Sequence, residues 1–338
     1  MGTKYHIQRR ALLAGGTALS LVPVPGARVS AQILDKVSFQ TDWRAQAEHG
    51  GYYQAVAAGI YRRHGIECDL RQGGPMQNPA QLLIGGRADM IMSNPFQALN
   101  YVRENLPFLC IAAIFQKDPM ILMSHEEAGI TGFEAMRGRP IMMSAAGRVT
   151  HWPFLRGRFG FTDAQIRPHA FNLQPFMADK GAIQQGMVSS EPYAAMRAGA
   201  RPRVHMIADA GYEAYNTTID ISARMMAGKR DLVQRFVDAT AEGWTEYMKG
   251  QDIGAANALI QAQNAEMPAE KMAYGLRVMQ ERKIVTDNEA ATLGVGAMTH
   301  ERWDRFYATM RDNGVYPAGL DLRRAYSLDF VNRRGGLG

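Results

Sequence analysis

The chain has 338 residues, of which 46% are hydrophobic and 21% charged. That balance excludes a wholly disordered chain, and the length suits two domains or two lobes. The formal net charge is +6, but Lys4, Arg9, Arg10 and Arg28 all fall within residues 1–31, which hold no Asp or Glu; setting these four aside leaves 34 basic against 32 acidic residues, a net charge of +2. So near to neutral, the remainder offers no electrostatic footprint for a phosphate backbone, and nucleic acid is not an expected partner. No apolar run reaches the roughly 20 residues of a membrane-spanning helix.

Residues 1–31 read as a signal peptide. The Arg9-Arg10 pair is followed by a mild apolar stretch from Ala11 to Pro25, and Val29-Ser30-Ala31 sets small residues before a cut at Gln32. The paired arginines and weak hydrophobicity resemble a twin-arginine export signal, with general secretion as the alternative. No Cys lies near the cut, so no lipid anchor is expected. Cys68 and Cys110 sit in apolar, strand-like stretches and read as buried free thiols.

From Ile33 onward, strand-like and helix-like segments alternate. Lys36 to Gln40 predicts a strand, Gly51 to Arg63 a helix closed by Gly65, Ile66 to Leu70 a strand, Ala80 to Ile84 a short helix, and Met90 to Met92 a strand. This β-α-β-α-β order predicts a doubly wound α/β unit. Further strands are expected at Phe108 to Phe115, Met120 to Met123, Arg139 to Met143, Val204 to Ile207 and Thr218 to Ala223. Capping boxes are expected at Thr131 to Glu134, Thr162 to Gln165 and Thr286 to Glu289. Arg230 to Lys249 carries Leu232, Phe236, Ala239, Gly243 and Tyr247 on one face, and Thr299 to Asp312 forms a last long helix. The expected architecture is two α/β lobes with a ligand cleft between them.

Several catalytic and metal patterns are missing. There is no G-x-x-x-x-G-K-[ST], H-E-x-x-H, C-x-x-C or G-x-S-x-G, and the eight His residues are scattered singly. No metal, cofactor or catalytic residue is expected. The 21 Met residues alternate with Ile and Leu and read as core.

Two strand-to-helix junctions carry the positive signal. Ser93-Asn94-Pro95 places a capping Asn before a Pro, and Ser190-Glu191-Pro192-Tyr193 does something similar in the second half. Such helix starts lie where open α/β sheets bind small ligands. The stretch Asp42 to Tyr53 follows the first strand and gathers Trp43, His49 and Tyr52 around Gly50-Gly51, two glycines that permit close backbone approach. An aromatic face with polar edges suits a flat, nitrogen-bearing ligand.

Asp42-Trp43 followed by His49-x-Gly51, Gln72-Gly73-Gly74-Pro75, Gly86-Arg87-Ala88-Asp89, Ala113 to Pro119, Gln185 to Pro192, Glu301-Arg302-Trp303, Asn313-Gly314-Val315 and Ala325 to Phe330 together resemble the solute-binding proteins of ABC importers, in the group of the thiamine pyrimidine-precursor and alkanesulfonate binding proteins. The resemblance spans about residues 36–332. It implies a type II periplasmic binding fold, each lobe a doubly wound sheet flanked by helices, with residues 32–120 and 216–331 in lobe 1, 121–215 in lobe 2 and a mobile tail at 332–338. It also implies a periplasmic monomer that takes a small-molecule solute and hands it to an inner-membrane ABC permease. In that frame Trp43 would stack on a pyrimidine-like ring, Glu191 would accept from its amino groups, Ser93 and Asn94 would contact it from the other lobe, and Trp152 and Tyr193 would close the far wall. His49, Tyr52 and Phe115, the last at the first lobe crossing, complete the expected lining. Arg148 would serve an anion, and an alkanesulfonate or taurine is the alternative solute. A eukaryotic branch of the same superfamily makes the thiamine pyrimidine from its own His and pyridoxal phosphate. That branch carries a Cys-rich iron motif, which this chain lacks.

Overall fold

The computed structural model describes residues 1–3, 33–169 and 171–333. The features of the expected export signal, from Arg9-Arg10 to Ala31, and residues 334–338 of the expected tail lie outside the described residues. Asn332, read as the start of that tail, is held: its side chain donates to the Met298 carbonyl at 2.8 Å and accepts the Met298 N–H at 3.2 Å.

Ten strands among the described residues form two sheets. The first comprises β1 (Asp35–Gln40), β2 (Ile66–Arg71), β3 (Met90–Ser93), β4 (Phe108–Phe115) and β10 (Asn216–Ser222), in the order β2-β1-β3-β10-β4. The second comprises β5 (Met120–His125), β6 (Ile141–Met143), β7 (Ile166–Pro168), β8 (Ile183–Met187) and β9 (Pro202–Met206), in the order β7-β6-β8-β5-β9. In each sheet four strands run in one direction and one is inserted antiparallel between two of them: β10 between β3 and β4, and β5 between β8 and β9. The inserted strand is in each case the one that follows a crossing between sheets. The chain leaves the first sheet at Phe115, enters the second at Met120, leaves it at Met206 and re-enters the first at Asn216. This is a two-lobed α/β fold.

The apolar patterns explain the elements. β3 is buried throughout and β4 from Leu109 onward, as central strands covered on both faces must be. The Arg230–Lys249 helix buries Leu232, Phe236, Ala239, Gly243 and Tyr247, the predicted face. Three expectations need correction. The helix expected over Gly51 to Arg63 is two, Gly50–Ala57 and Ile60–Arg63, because Gly59 takes the left-handed conformation between them. Of the three expected capping boxes, only Thr162 with Gln165 forms one. Near Thr131 a 3-10 turn runs over Phe133–Met136 with Gly132 as its cap, and the Ala290–Leu293 helix starts after Glu289 with no side-chain cap. Strands β7 and β8 are additional to the predicted set.

Candidate ligand site

Because β1 and β3 are parallel, Gln40 and Ser93 end on the same side of the first sheet. In the second sheet Met143, Pro168 and Met187 likewise end together. The segments that leave these carboxyl ends meet one another, and the candidate site lies at their meeting.

From the first lobe comes the loop after β1. Its Trp43 carbonyl accepts the Thr41 hydroxyl at 3.0 Å and the Gly73 N–H at 2.9 Å, which fixes the half-buried Trp43. Ala45 is held by Gln72 and Asn264 at 3.0 and 2.8 Å. The next turn buries Glu48 and His49, and His49 Nε2 faces Asp42 at 3.4 Å while its Nδ1 has no partner. The two glycines that follow serve packing rather than approach to a ligand. A Cβ on Gly51 would lie 2.1 Å from the Trp244 ring, and one on Gly50 would lie 2.0 Å from the Tyr247 ring, so the Arg230–Lys249 helix sits directly on this turn.

From the second lobe comes the turn after β8. Glu191 opens the Glu191–Arg197 helix, and its carboxylate folds back to accept the Met187 N–H at 2.6 Å. Burial raises the Glu191 carboxyl above the ordinary carboxylate range; the neighbouring Glu48 charge adds to this and the Met187 N–H opposes it. Ser189, in the same turn, donates its hydroxyl to Glu48 of the first lobe. The Ala269–Glu281 helix covers this junction: a Cβ on Gly275 would come 2.8 Å from the Ala47 Cβ and 3.3 Å from the Ser189 carbonyl oxygen. From the same helix Tyr274 donates to the Val188 carbonyl at 3.4 Å, and Tyr193 donates to Glu270 at 3.3 Å. A second bridge between the lobes is aromatic. The Trp43 ring lies 5.4 Å from that of Phe171, which follows β7.

The expected site residues therefore divide. Trp43, His49, Glu191 and Tyr193 belong to the segments that meet between the lobes. Ser93 and Asn94 lie at the carboxyl end of β3, where Asn94 caps the Pro95–Arg103 helix by accepting the Gln97 N–H at 3.2 Å. Tyr52 is fully buried against Phe39 and Trp244, and Phe115 is fully buried edge-on to Trp244. Trp152 is buried within the second lobe, its indole N–H bonded to Asp163 at 2.8 Å and its ring against Phe161. Arg148 is exposed on the Ala145–Thr150 helix that follows β6.

Sequence reasoning passed over Glu48, Ser189 and Phe171. The first two stand inside the segments that were singled out, so the signal was present but was assigned to their neighbours. Phe171 stands in a loop with no motif. The crossings were also more elaborate than expected. Asp118 is buried there, accepting from the Met120 N–H at 2.8 Å and the Asn216 amide at 3.0 Å, with His151 Nε2 at 3.2 Å. Burial would raise its carboxyl, yet His151, Asn216 and Met120 together hold it below the ordinary range. Arg302 ties the two crossings together, donating to the carbonyls of Gln116, Glu213 and Ala214 and to Glu289 at 2.7 Å. A cavity of about 250 Å³ beside it is lined by charges that pair among themselves, Arg302 with Glu289, Arg305 with Glu213 and Lys117 with Asp209.

Comparison with known proteins agrees with this architecture. The riboflavin-binding protein RibY of Chloroflexus aurantiacus is 22% identical over 326 residues, covering 93% of this chain and 90% of that protein. A 4-amino-5-hydroxymethyl-2-methylpyrimidine phosphate synthase of Aspergillus parasiticus is 23% identical over 108 residues, about a third (32%) of each chain. Among solved structures, the periplasmic aliphatic sulphonate binding protein SsuA of Escherichia coli superposes with a TM-score of 0.64 at 13% identity, covering 86% of this chain and 91% of that one. The fold is that of the periplasmic binding proteins. The family model described as NMT1/THI5 like matches residues 46–252, more than half of the chain, from the Ala47–His49 turn through the Glu191 turn and both crossings, and the chain belongs to that family.

Proposed function

We propose that the chain is the solute-binding component of an ABC importer, exported to the periplasm, which captures a planar nitrogen heterocycle between its lobes and presents it to an inner-membrane permease. The observation that carries this reading is the meeting of the two carboxyl ends, where Glu48 of one lobe takes the hydroxyl of Ser189, in the turn before Glu191, and the Trp43 ring stands against Phe171 of the other lobe. An aromatic ring from one side and a carboxylate from the other suit a flat ring that bears N–H donors. RibY is named for riboflavin, whose ring system includes a fused pyrimidine.

An alkanesulfonate is the second reading, favoured by the exposed Arg148 beyond β6 and by the fold shared with SsuA. The Glu48 carboxylate, which already takes the Ser189 hydroxyl at the junction, weighs against it, since it would repel a sulfonate laid beside it. A catalytic role is not proposed: the two cysteines, Cys68 and Cys110, are separate free thiols on different strands.

Titration calorimetry decides between the readings. 4-Amino-5-hydroxymethyl-2-methylpyrimidine or riboflavin should bind saturably, while taurine and butanesulfonate should not. The same ligands give a thermal-shift readout, since a ligand at 100 times its Kd adds about 2.7 kcal/mol of apparent stability. Binding of the sulfonates alone overturns the proposal.

A further inference from the structure

We propose that Phe171 is a ligand-contacting residue: with Trp43 it forms a two-sided aromatic clamp that closes on a flat ring at the boundary between the lobes. The inference rests on the heterocycle reading above and adds to it the residue that selects for planarity.

Three observations carry it. First, the two rings come from opposite lobes, Trp43 from the loop after β1 and Phe171 from the loop after β7, and lie 5.4 Å apart with 44° between their planes. A planar ring sandwiched between two others needs them about 7 Å apart, twice the ordinary stacking contact. A small opening and a rotation would therefore admit one.

Second, Phe171 stands outside the buried core, its ring meeting Trp43 across the lobes and His169 beside it. The residue is 59% exposed, whereas a Phe that supports a core is buried. Third, its backbone is held in an unfavourable state. Phe171 has φ of +52°, a left-handed conformation that bulky side chains rarely adopt. The loop enforces it: the Phe171 N–H donates to His169 Nδ1 at 3.1 Å, the Gln174 N–H donates to Asn172 at 3.0 Å, and the His169 ring stands edge-on to the Phe171 ring at 5.1 Å. An apolar ring kept exposed at a strained position, aimed at an aromatic of the other lobe, is the pattern of a residue retained for contact with a ligand. His169 is its positioning residue. Burial keeps the His169 imidazole below its ordinary pKa, so Nδ1 stays free to accept.

The test compares wild type, Phe171→Ala, Phe171→Trp and Trp43→Ala in calorimetric titrations with riboflavin, 4-amino-5-hydroxymethyl-2-methylpyrimidine and butanesulfonate. For any planar probe that wild type binds, Phe171→Ala should raise Kd at least fivefold, Phe171→Trp should restore binding, and the melting temperature of the unliganded protein should not move. A rise of less than fivefold in Phe171→Ala overturns the clamp; if Trp43→Ala still loses affinity in that case, the heterocycle reading survives without it. Wild type that binds neither planar probe overturns both.

Discussion

The Glu48 carboxylate accepts the hydroxyl of Ser189, a residue 141 positions later in the chain and in the other lobe. Both residues are 2% exposed. The bond joins the turn that opens the first lobe's leading helix to the turn that positions Glu191, so it couples the two halves of the candidate site directly.

Ser189→Ala should loosen this junction. It leaves a buried carboxylate short of one partner, a cost of about 1–3 kcal/mol. That cost falls only on the state in which the lobes touch, so the variant should populate more open forms. Small-angle scattering of the unliganded protein should show a larger radius of gyration than wild type. An unchanged profile would mean that the contact does not hold the lobes together.

Gly51→Ala tests the reassigned role of the paired glycines. Its added Cβ would meet the Trp244 ring at 2.1 Å and the Trp244 Cα at 2.6 Å, and the latter cannot rotate away. Overpacking of this kind costs about 1–3 kcal/mol. Denaturant unfolding should show that loss in the empty protein. Unchanged stability with weakened binding would instead return the glycines to a ligand-facing role.

The fold was legible because its signals are local. The alternation of apolar runs and helical faces is written in consecutive residues, and β4 and the Arg230–Lys249 helix lie where the periodicity places them. The site was legible only as far as junctions can be read. Trp43 and Glu191 stand at strand ends, and parallel pairing brings such ends together. Tyr52 and Phe115 were misjudged because an aromatic near a junction reads the same whether it faces inward or outward; here both face Trp244. The Thr286 box failed for a similar reason. Its spacing fits a cap, but Asn288 takes φ of +48° and Glu289 turns to Arg302, a partner that only the tertiary fold supplies.

Asp220 gives a stability signature in pH. It lies buried on β10, and burial pushes its carboxyl up to about 7, with hydrogen bonds from Ser93 and Thr218 opposing. The folded state therefore holds a proton that the unfolded chain has released near pH 4. Its contribution is fully present below the unfolded pKa and is lost as pH rises through the folded value near 7. Asp220→Asn carries no such charge and keeps an oxygen for the Thr218 hydroxyl, now 3.2 Å from Asp220. The stability of the variant relative to wild type should thus rise between pH 4 and pH 7 and level off above that, a change of a few kcal/mol. A difference independent of pH would show that Asp220 is ionised throughout.

Arg302 should be the most costly of these positions to change, and its effect should reach the motion of the lobes as well as stability. Its guanidinium is buried and spends its donors on both crossings: Gln116 in the first, Glu213 and Ala214 in the second, with Glu289 as the counter-charge and the Tyr215 ring 4.2 Å from the guanidinium carbon. The planar fork serves several carbonyls at once, which an ammonium cannot do. Arg302→Ala strands the Glu289 carboxylate and these carbonyls, and removing one partner of a buried pair costs about 3–5 kcal/mol. Arg302→Lys keeps the charge but not the fork, and should recover only part of that loss. The Lys variant is the informative one, because it should stay folded while its crossings are less tightly joined. Hydrogen exchange at residues 116–119 and 207–215 should then speed up relative to the sheet strands, and solute affinity should fall although Arg302 lies away from the Trp43 and Glu191 segments. Exchange that rises evenly over the whole chain would mean that Arg302 stabilises the fold as a whole and does not set how tightly the two crossings are joined.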